Sequence, residues 1–302
     1  MRRDSKSLLA VLRSWLLLAA AAIALSACST GVRLGYNYAD TLVTYSIDGY
    51  VGLTPEQEQL VKERAAALVA WHRSTQLRDY VQLIEATRSK LAGPVTATDV
   101  LVFNQAVNAR LAGLGDRAAP DLAQLALTLT PDQVTKMERK LASDNSKARR
   151  ELVQFAGKET LDDRVKKYAE RVEFWFGSLS REQLEIVRAS LAQRPNNAAW
   201  WIDERERRQR ELIAVVQRIQ AERPNESTAA GWVRGYFSQL QSPADPERRR
   251  AIEQFRVGNA ELIAQLISVA SPEQKAALSR KLGSFVDDLT SLASERAAPS
   301  PG

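Results

Sequence analysis

One short pattern is written four times along this chain, and each copy marks the start of a helix. Leu53-Thr54-Pro55-Glu56-Gln57 returns as Leu129-Thr130-Pro131-Asp132-Gln133, Leu179-Ser180-Arg181-Glu182-Gln183 and Ala270-Ser271-Pro272-Glu273-Gln274. A Thr or Ser hydroxyl can accept from an orphan backbone N–H of a first turn, and proline suits the first helical position. A glutamine three residues after the cap can reach back to the cap's own N–H, and an acidic side chain between them favours the positive end of the helix dipole. Thr54, Thr130, Ser180 and Ser271 are therefore expected as N-caps, with Gln57, Gln133, Gln183 and Gln274 closing the boxes. The spacings of 76, 50 and 91 residues are too unequal for a solenoid, which leaves shared capping chemistry or an old duplication.

Between these starts the pattern stays helical. Leu60, Val61, Leu68, Val69, Leu77, Tyr80, Val81, Ile84 and Leu91 follow one face of a helix over 55–91, with a kink expected near Thr75. Further helices are expected at 98–114, 119–128, 131–155, 159–177, 181–192, 197–223, 227–240, 246–269 and 272–294. The breaks fall at Gly93-Pro94, Gly115, Pro120, Pro131, Gly157, Gly177, Pro195, Pro224, Pro243 and Pro272. Strict alternation of β-branched residues is missing, so the fold class is all-α, a multi-helix bundle of antiparallel helices without a sheet. Residues 28–294 read as a single all-α domain with a point of subdivision near 157, and 295–302 as a disordered tail.

The amino terminus is of another kind. MRRDSKS is basic, LLAVLRSWLLLAAAAIAL is apolar, and the run ends in small residues and a cysteine, which describes a signal peptide over 1–27. Arg13 interrupts it, and Ser14 to Ala27 is too short for a spanning helix of about 20 residues. Leu25-Ser26-Ala27-Cys28 resembles the lipobox of bacterial lipoproteins. The resemblance implies cleavage before Cys28, lipidation of its thiol and acylation of the new amino terminus, with Ser29 pointing to the outer rather than the inner membrane. A stray cysteine after an ordinary cleavage site is the alternative. Cys28 is the only cysteine, so within one chain no disulfide can form and packing alone must stabilise the fold.

The formal charge of +6 shrinks once 1–27 are removed, since Arg2, Arg3, Lys6 and Arg13 outweigh Asp4 there; 38 basic and 35 acidic residues remain. So small an excess argues against a nucleic-acid partner. His72 is the only histidine, which excludes a His pair, a Ser-His-Asp triad or a Cys-His dyad. Neither a metal nor a cofactor is expected. In Asp203-Glu204-Arg205-Glu206-Arg207-Arg208-Gln209-Arg210, the pairs Asp203/Arg207, Glu204/Arg208 and Glu206/Arg210 fall at i, i+4 and predict a self-paired helix face. Arg248-Arg249-Arg250 is less compensated and could meet anionic headgroups. Tyr38, Leu42, Tyr45 and Tyr50 recur at helical spacing soon after the tether; they are expected to pack on the core, with the lipid interface as the alternative. Phe174-Trp175-Phe176 and Trp200-Trp201 are contiguous, so one ring of each set, Trp175 and Trp200 or Trp201, is a candidate partner surface unless helices cover both sides. Carboxylate pairs at Asp162-Asp163, Glu170/Glu173 and Asp287-Asp288 suit surface helices better than the facing pair of a glycan hydrolase.

LTPEQ and LTPDQ are similar to the L-T-x-x-Q motif of Spy/CpxP-like periplasmic proteins, which implies a chaperone-like binder of unfolded envelope proteins. GYNYADTLVTYSIDGYVGLTPEQ, AWHRSTQL, ASDNSKARRE and WWIDERERRQRE, together with the lipobox, resemble an uncharacterised family of helical bacterial lipoproteins, a domain of unknown function. That resemblance implies a helical fold and an envelope location, and no activity. The expectation is a non-enzymatic lipoprotein of structural or interaction type, partnered by the membrane through its lipid and by an envelope protein. A chaperone-like role and a cell-wall hydrolase are the alternatives.

Overall fold

A computed structural model describes residues 35–156, 159–194 and 196–294. Residues 1–27, Cys28 and the tail from 295 lie outside the described residues. The described chain is all-α, with no strand. Its helices are α1 (Ala39–Val51), α2 (Pro55–Trp71), α3 (Leu77–Lys90), α4 (Ala97–Thr128), α5 (Pro131–Ala156), α6 (Leu161–Phe176), α7 (Arg181–Ala192), α8 (Ala198–Glu222), α9 (Glu226–Gln241), α10 (Pro246–Ser268) and α11 (Pro272–Ser294). Among the described residues no helix is long and apolar enough to cross a membrane.

Two long rods set the frame. α2 runs into α3 through a π-helical segment, His72–Gln76, at the place where a kink was expected. The resulting spine is about 50 Å long at 1.5 Å per residue. α4 returns alongside it in the opposite direction, because Lys90 meets Asp99 at 3.1 Å, Asp79 meets Arg110 at 2.8 Å and Gln57 meets the Thr128 carbonyl at 3.0 Å. α1 covers the α2 half of the spine and α11 the α3 half. Val51 and Val61 pack with Leu125, Val134 and Val216 at one end, while Leu77 and Ile84 pack with Phe285, Leu289 and Leu292 further along. α8 lies antiparallel to α5 through Gln217–Glu138, Asn145–Gln209 and Arg149–Glu206. α6, α7 and α10 close the other end around Val165, Val187, Leu262 and Leu266.

Two expectations are corrected. The first is the break at 115–119: α4 is continuous from 97 to 128 with Pro120 inside it. An interior proline costs about 3 kcal/mol of helix propensity. Burial offsets that cost here, because Ala119 and Ala123 are fully buried against Ala229, Ala230 and Val233 of α9. Gly115 serves the same contact, since a Cβ there would stand 3.1 Å from Phe237 Cγ. The second is α1. Tyr38, Leu42 and Tyr45 point outward, at 52 %, 49 % and 60 % exposure, and only Tyr50 turns inward to bond Asp144 at 3.4 Å. The inner face is carried instead by Val43, Ile47 and Val51.

Candidate functional site

The four helix starts converge in pairs. At Thr54 the hydroxyl accepts from the Gln57 N–H at 3.3 Å, and Gln57 Oε1 accepts from the Thr54 N–H at 3.0 Å. Thr130 with Gln133, Ser180 with Gln183 and Ser271 with Gln274 form the same reciprocal box at 2.9 to 3.3 Å. The glutamine side chains then reach across to one another. Gln57 Nε2 donates to Gln133 Oε1 at 3.2 Å, and Gln133 Nε2 donates to Gln57 Oε1 at 2.6 Å. Gln183 and Gln274 exchange the same two bonds, both at 2.9 Å.

The second amide hydrogen is used as well. Gln57 donates to the Thr128 carbonyl, Gln133 to the Gly52 carbonyl at 2.7 Å, and Gln274 to the Ser178 carbonyl at 2.8 Å. Each of these carbonyls lies two residues before the opposite cap, so the first pair is locally two-fold, and in the second pair Gln274 makes the same bond. The first pair ties the starts of α2 and α5, and the second ties those of α7 and α11. Gln57, Gln133 and Gln183 are buried, which makes full satisfaction of their amides matter. A plain capping box accepts Glu as readily as Gln, and the boxes at Thr96 and Thr160 close with Asp99 and Asp163 on the surface. Only an amide carries both the acceptor the cap needs and the donor the partner needs. Glutamine in all four copies was the signal that could have announced the pairing.

A second polar cluster sits at the π-helical segment. Tyr36 hydroxyl lies 2.6 Å from His72 Nδ1, and His72 Nε2 lies 3.0 Å from the Tyr80 hydroxyl. Arg73 beside it is buried, bonds Asn37 Oδ1 at 3.0 Å and stands over the Tyr36 ring. The first described residues are thus pinned to the middle of the spine. Burial lowers the His72 pKa from 6.5 to about 4 and raises those of Tyr36 and Tyr80. Because the folded value is the lower one, the unfolded chain takes a proton first as pH falls. The contribution of His72 is complete above about pH 6.5 and is lost progressively toward about pH 4. Between those limits the wild type should lose about 2 to 3 kcal/mol more than His72→Gln in urea unfolding, at 1.36 kcal/mol per pKa unit. Parallel pH profiles for the two proteins would refute this.

The charged segment is rearranged relative to expectation. Glu204 pairs with Arg208 at 2.6 Å and Glu206 with Arg210 at 3.9 Å, but Asp203 and Glu206 both reach Arg149 and Arg207 reaches Asp245. Arg248, one of the three arginines that could meet headgroups, is buried with its Nε 2.8 Å from Glu204 and its Nη1 2.9 Å from Glu211. It therefore has no reach to a lipid surface, while Arg249 and Arg250 remain exposed.

The aromatic candidates are half-buried. Trp175 packs 5.7 Å from Phe285, Trp200 stands edge-on to Trp201 at 4.7 Å, and Trp201 leans on Phe255 of α10 at 5.2 Å. Among the carboxylates, Asp163 closes the capping box of α6 by accepting from the Thr160 N–H, Asp162 pairs with Arg188 at 2.6 Å and Glu173 accepts from the Leu179 N–H. Glu170 and Asp287 are exposed while Asp288 is buried. Cys28, the lipidation candidate, lies outside the described residues.

A family model described as "Family of unknown function (DUF6279)" matches residues 49–227. That span holds the first glutamine pair and Gln183, and ends before Gln274. No curated protein and no solved structure matches the chain.

Proposed function

The chain belongs to DUF6279, a family of unknown function, and we propose that it is a lipid-anchored periplasmic protein of structural or interaction type, not an enzyme, held at the outer membrane through Cys28. The lipobox Leu25-Ser26-Ala27-Cys28, followed by Ser29, supports the anchor and its location. The observation that carries the structural reading is the glutamine pairing. The L-T-x-x-Q side chains that would mark a client-binding surface in a chaperone-like protein are spent on each other, inside the molecule. They hold helix starts that are 76 and 91 residues apart at fixed positions, which makes the body a rigid platform for an envelope partner.

Cys28→Ser should abolish palmitate labelling and leave an unprocessed precursor or a soluble form. Unchanged labelling and membrane fractionation would sink the lipoprotein reading. The motif can be tested separately. Thr54→Ala should cost about 1 kcal/mol of stability and Thr54→Ser almost nothing, because serine keeps the acceptor oxygen. If Thr54→Ala instead kept the wild-type melting temperature but lost an ability to suppress aggregation of an unfolded envelope protein, the chaperone-like reading would replace this one.

A further inference from the structure

We infer that the outer face of α1 is a membrane-docking surface, so that the protein lies against the bilayer through this helix in addition to being tethered to it; the inference rests on the lipid-anchor reading above. Seven large hydrophobic side chains are exposed among the described residues, and three of them stand together at i, i+4 and i+7: Tyr38 at the N-cap of α1, whose carbonyl accepts from the Leu42 N–H at 2.9 Å, and Leu42 and Tyr45 on the helix. That spacing places them in a single stripe. The other four are dispersed, Val102 on α4, Phe174 on α6, Phe255 on α10 and Val269 at the C-cap of α10, fourteen residues further on.

Thr41 beside the stripe and Gly49 one turn beyond Tyr45 are uncharged, Asp40 is buried, and Asp48 accepts from the Leu53 N–H at the helix end. Two tyrosines flanking a leucine give an apolar body with polar tips, the composition favoured where hydrocarbon meets headgroups.

The position of the stripe on the chain says what covers it. Nine residues separate Cys28 from Tyr38, a reach of no more than about 35 Å. The entry point is fixed as well, because Tyr36 is held by His72 at 2.6 Å and Asn37 by Arg73 at 3.0 Å. A lipid on Cys28 therefore keeps a bilayer within reach of this face at high effective concentration, so that a weak interfacial preference becomes occupancy. No other surface of the described chain is so close to the lipidation residue in sequence.

The full-length lipidated protein carrying Thr41→Cys, with a fluorophore on the new thiol, would be reconstituted in phosphatidylethanolamine and phosphatidylglycerol vesicles containing a doxyl-labelled lipid. Thr41 is exposed and borders the stripe without forming it. The control is Val269→Cys at the C-cap of α10, just before α11 begins, whereas Tyr36 packs against the cluster that holds Leu289 and Leu292 near the far end of α11. The expected result is several-fold stronger quenching at 41 than at 269, abolished by adding Leu42→Asp while flotation and melting temperature stay unchanged. Equal quenching at the two positions, with flotation intact, would overturn the docking face and leave the anchor standing. Loss of flotation by the wild type would remove both. Energy transfer between labels on two copies, in place of lipid quenching, would assign the face to a second copy of the chain and equally overturn the inference.

Discussion

Gln183→Glu is expected to cost about 3 kcal/mol at neutral pH, although glutamate is an ordinary closing residue for a capping box. Gln183 is 1 % exposed, and its Nε2 donates to Gln274 Oε1. A carboxylate in its place sets an acceptor against an acceptor and buries a charge. The pH dependence separates this cause from a general packing defect. The introduced carboxyl has its folded pKa raised above its unfolded value, so the penalty is full above the folded pKa. It shrinks as pH falls through that value, because the protonated acid again offers a donor to Gln274. Urea unfolding of wild type and variant at about pH 7 and about pH 5 reads the difference, given an unfolded carboxyl pKa near 4.3. A penalty below about 1 kcal/mol at neutral pH, or one that grows in acid, would mean that the two amides are not paired as described.

The second large effect is expected at Glu204→Ala. Glu204 and Arg248 are 2 % and 4 % exposed at their side chains, and Arg208 shares the same carboxylate. Removing it leaves a buried guanidinium with Glu211 alone, itself partly in solvent, and should cost about 3 kcal/mol. The double replacement Glu204→Leu with Arg248→Met should recover most of that loss, because apolar side chains of similar volume need no partner. If the double variant were as unstable as the single one, packing around this pair rather than its charge would be the cause.

What could be read from residues alone follows the range of the interactions. A cap is local: Thr54, Pro55 and Gln57 bring donor, fixed φ and acceptor within one turn, so the helix starts are written in four or five letters. The meeting of Gln57 with Gln133 is set by how α1, α2, α4 and α5 pack, and nothing within one turn of either residue encodes it. Pro120 shows the reverse case, in which a strong local stop is overruled by α9 covering Ala119 and Ala123. Helical periodicity placed Tyr38, Leu42 and Tyr45 on one stripe but could not say which stripe of α1 faces inward, because Val43, Ile47 and Val51 form an equally good one. Arg248 sits among three consecutive arginines, and only the arrival of α8 with Glu204 and Glu211 distinguishes it from Arg249 and Arg250.

The alanine face of α4 also sets an order of events. Ala119, Ala123 and Ala126 find their cover in Ile219 of α8 and in Ala229, Ala230 and Val233 of α9, about a hundred residues later in the chain. During synthesis that face stays bare while α5, α6 and α7 are being made. Contacts of such long sequence separation close slowly, since the loop between them must first be brought together. The amino-terminal half is therefore the older part of the nascent chain without being the first part to finish folding; its middle rod is completed by the half that follows it.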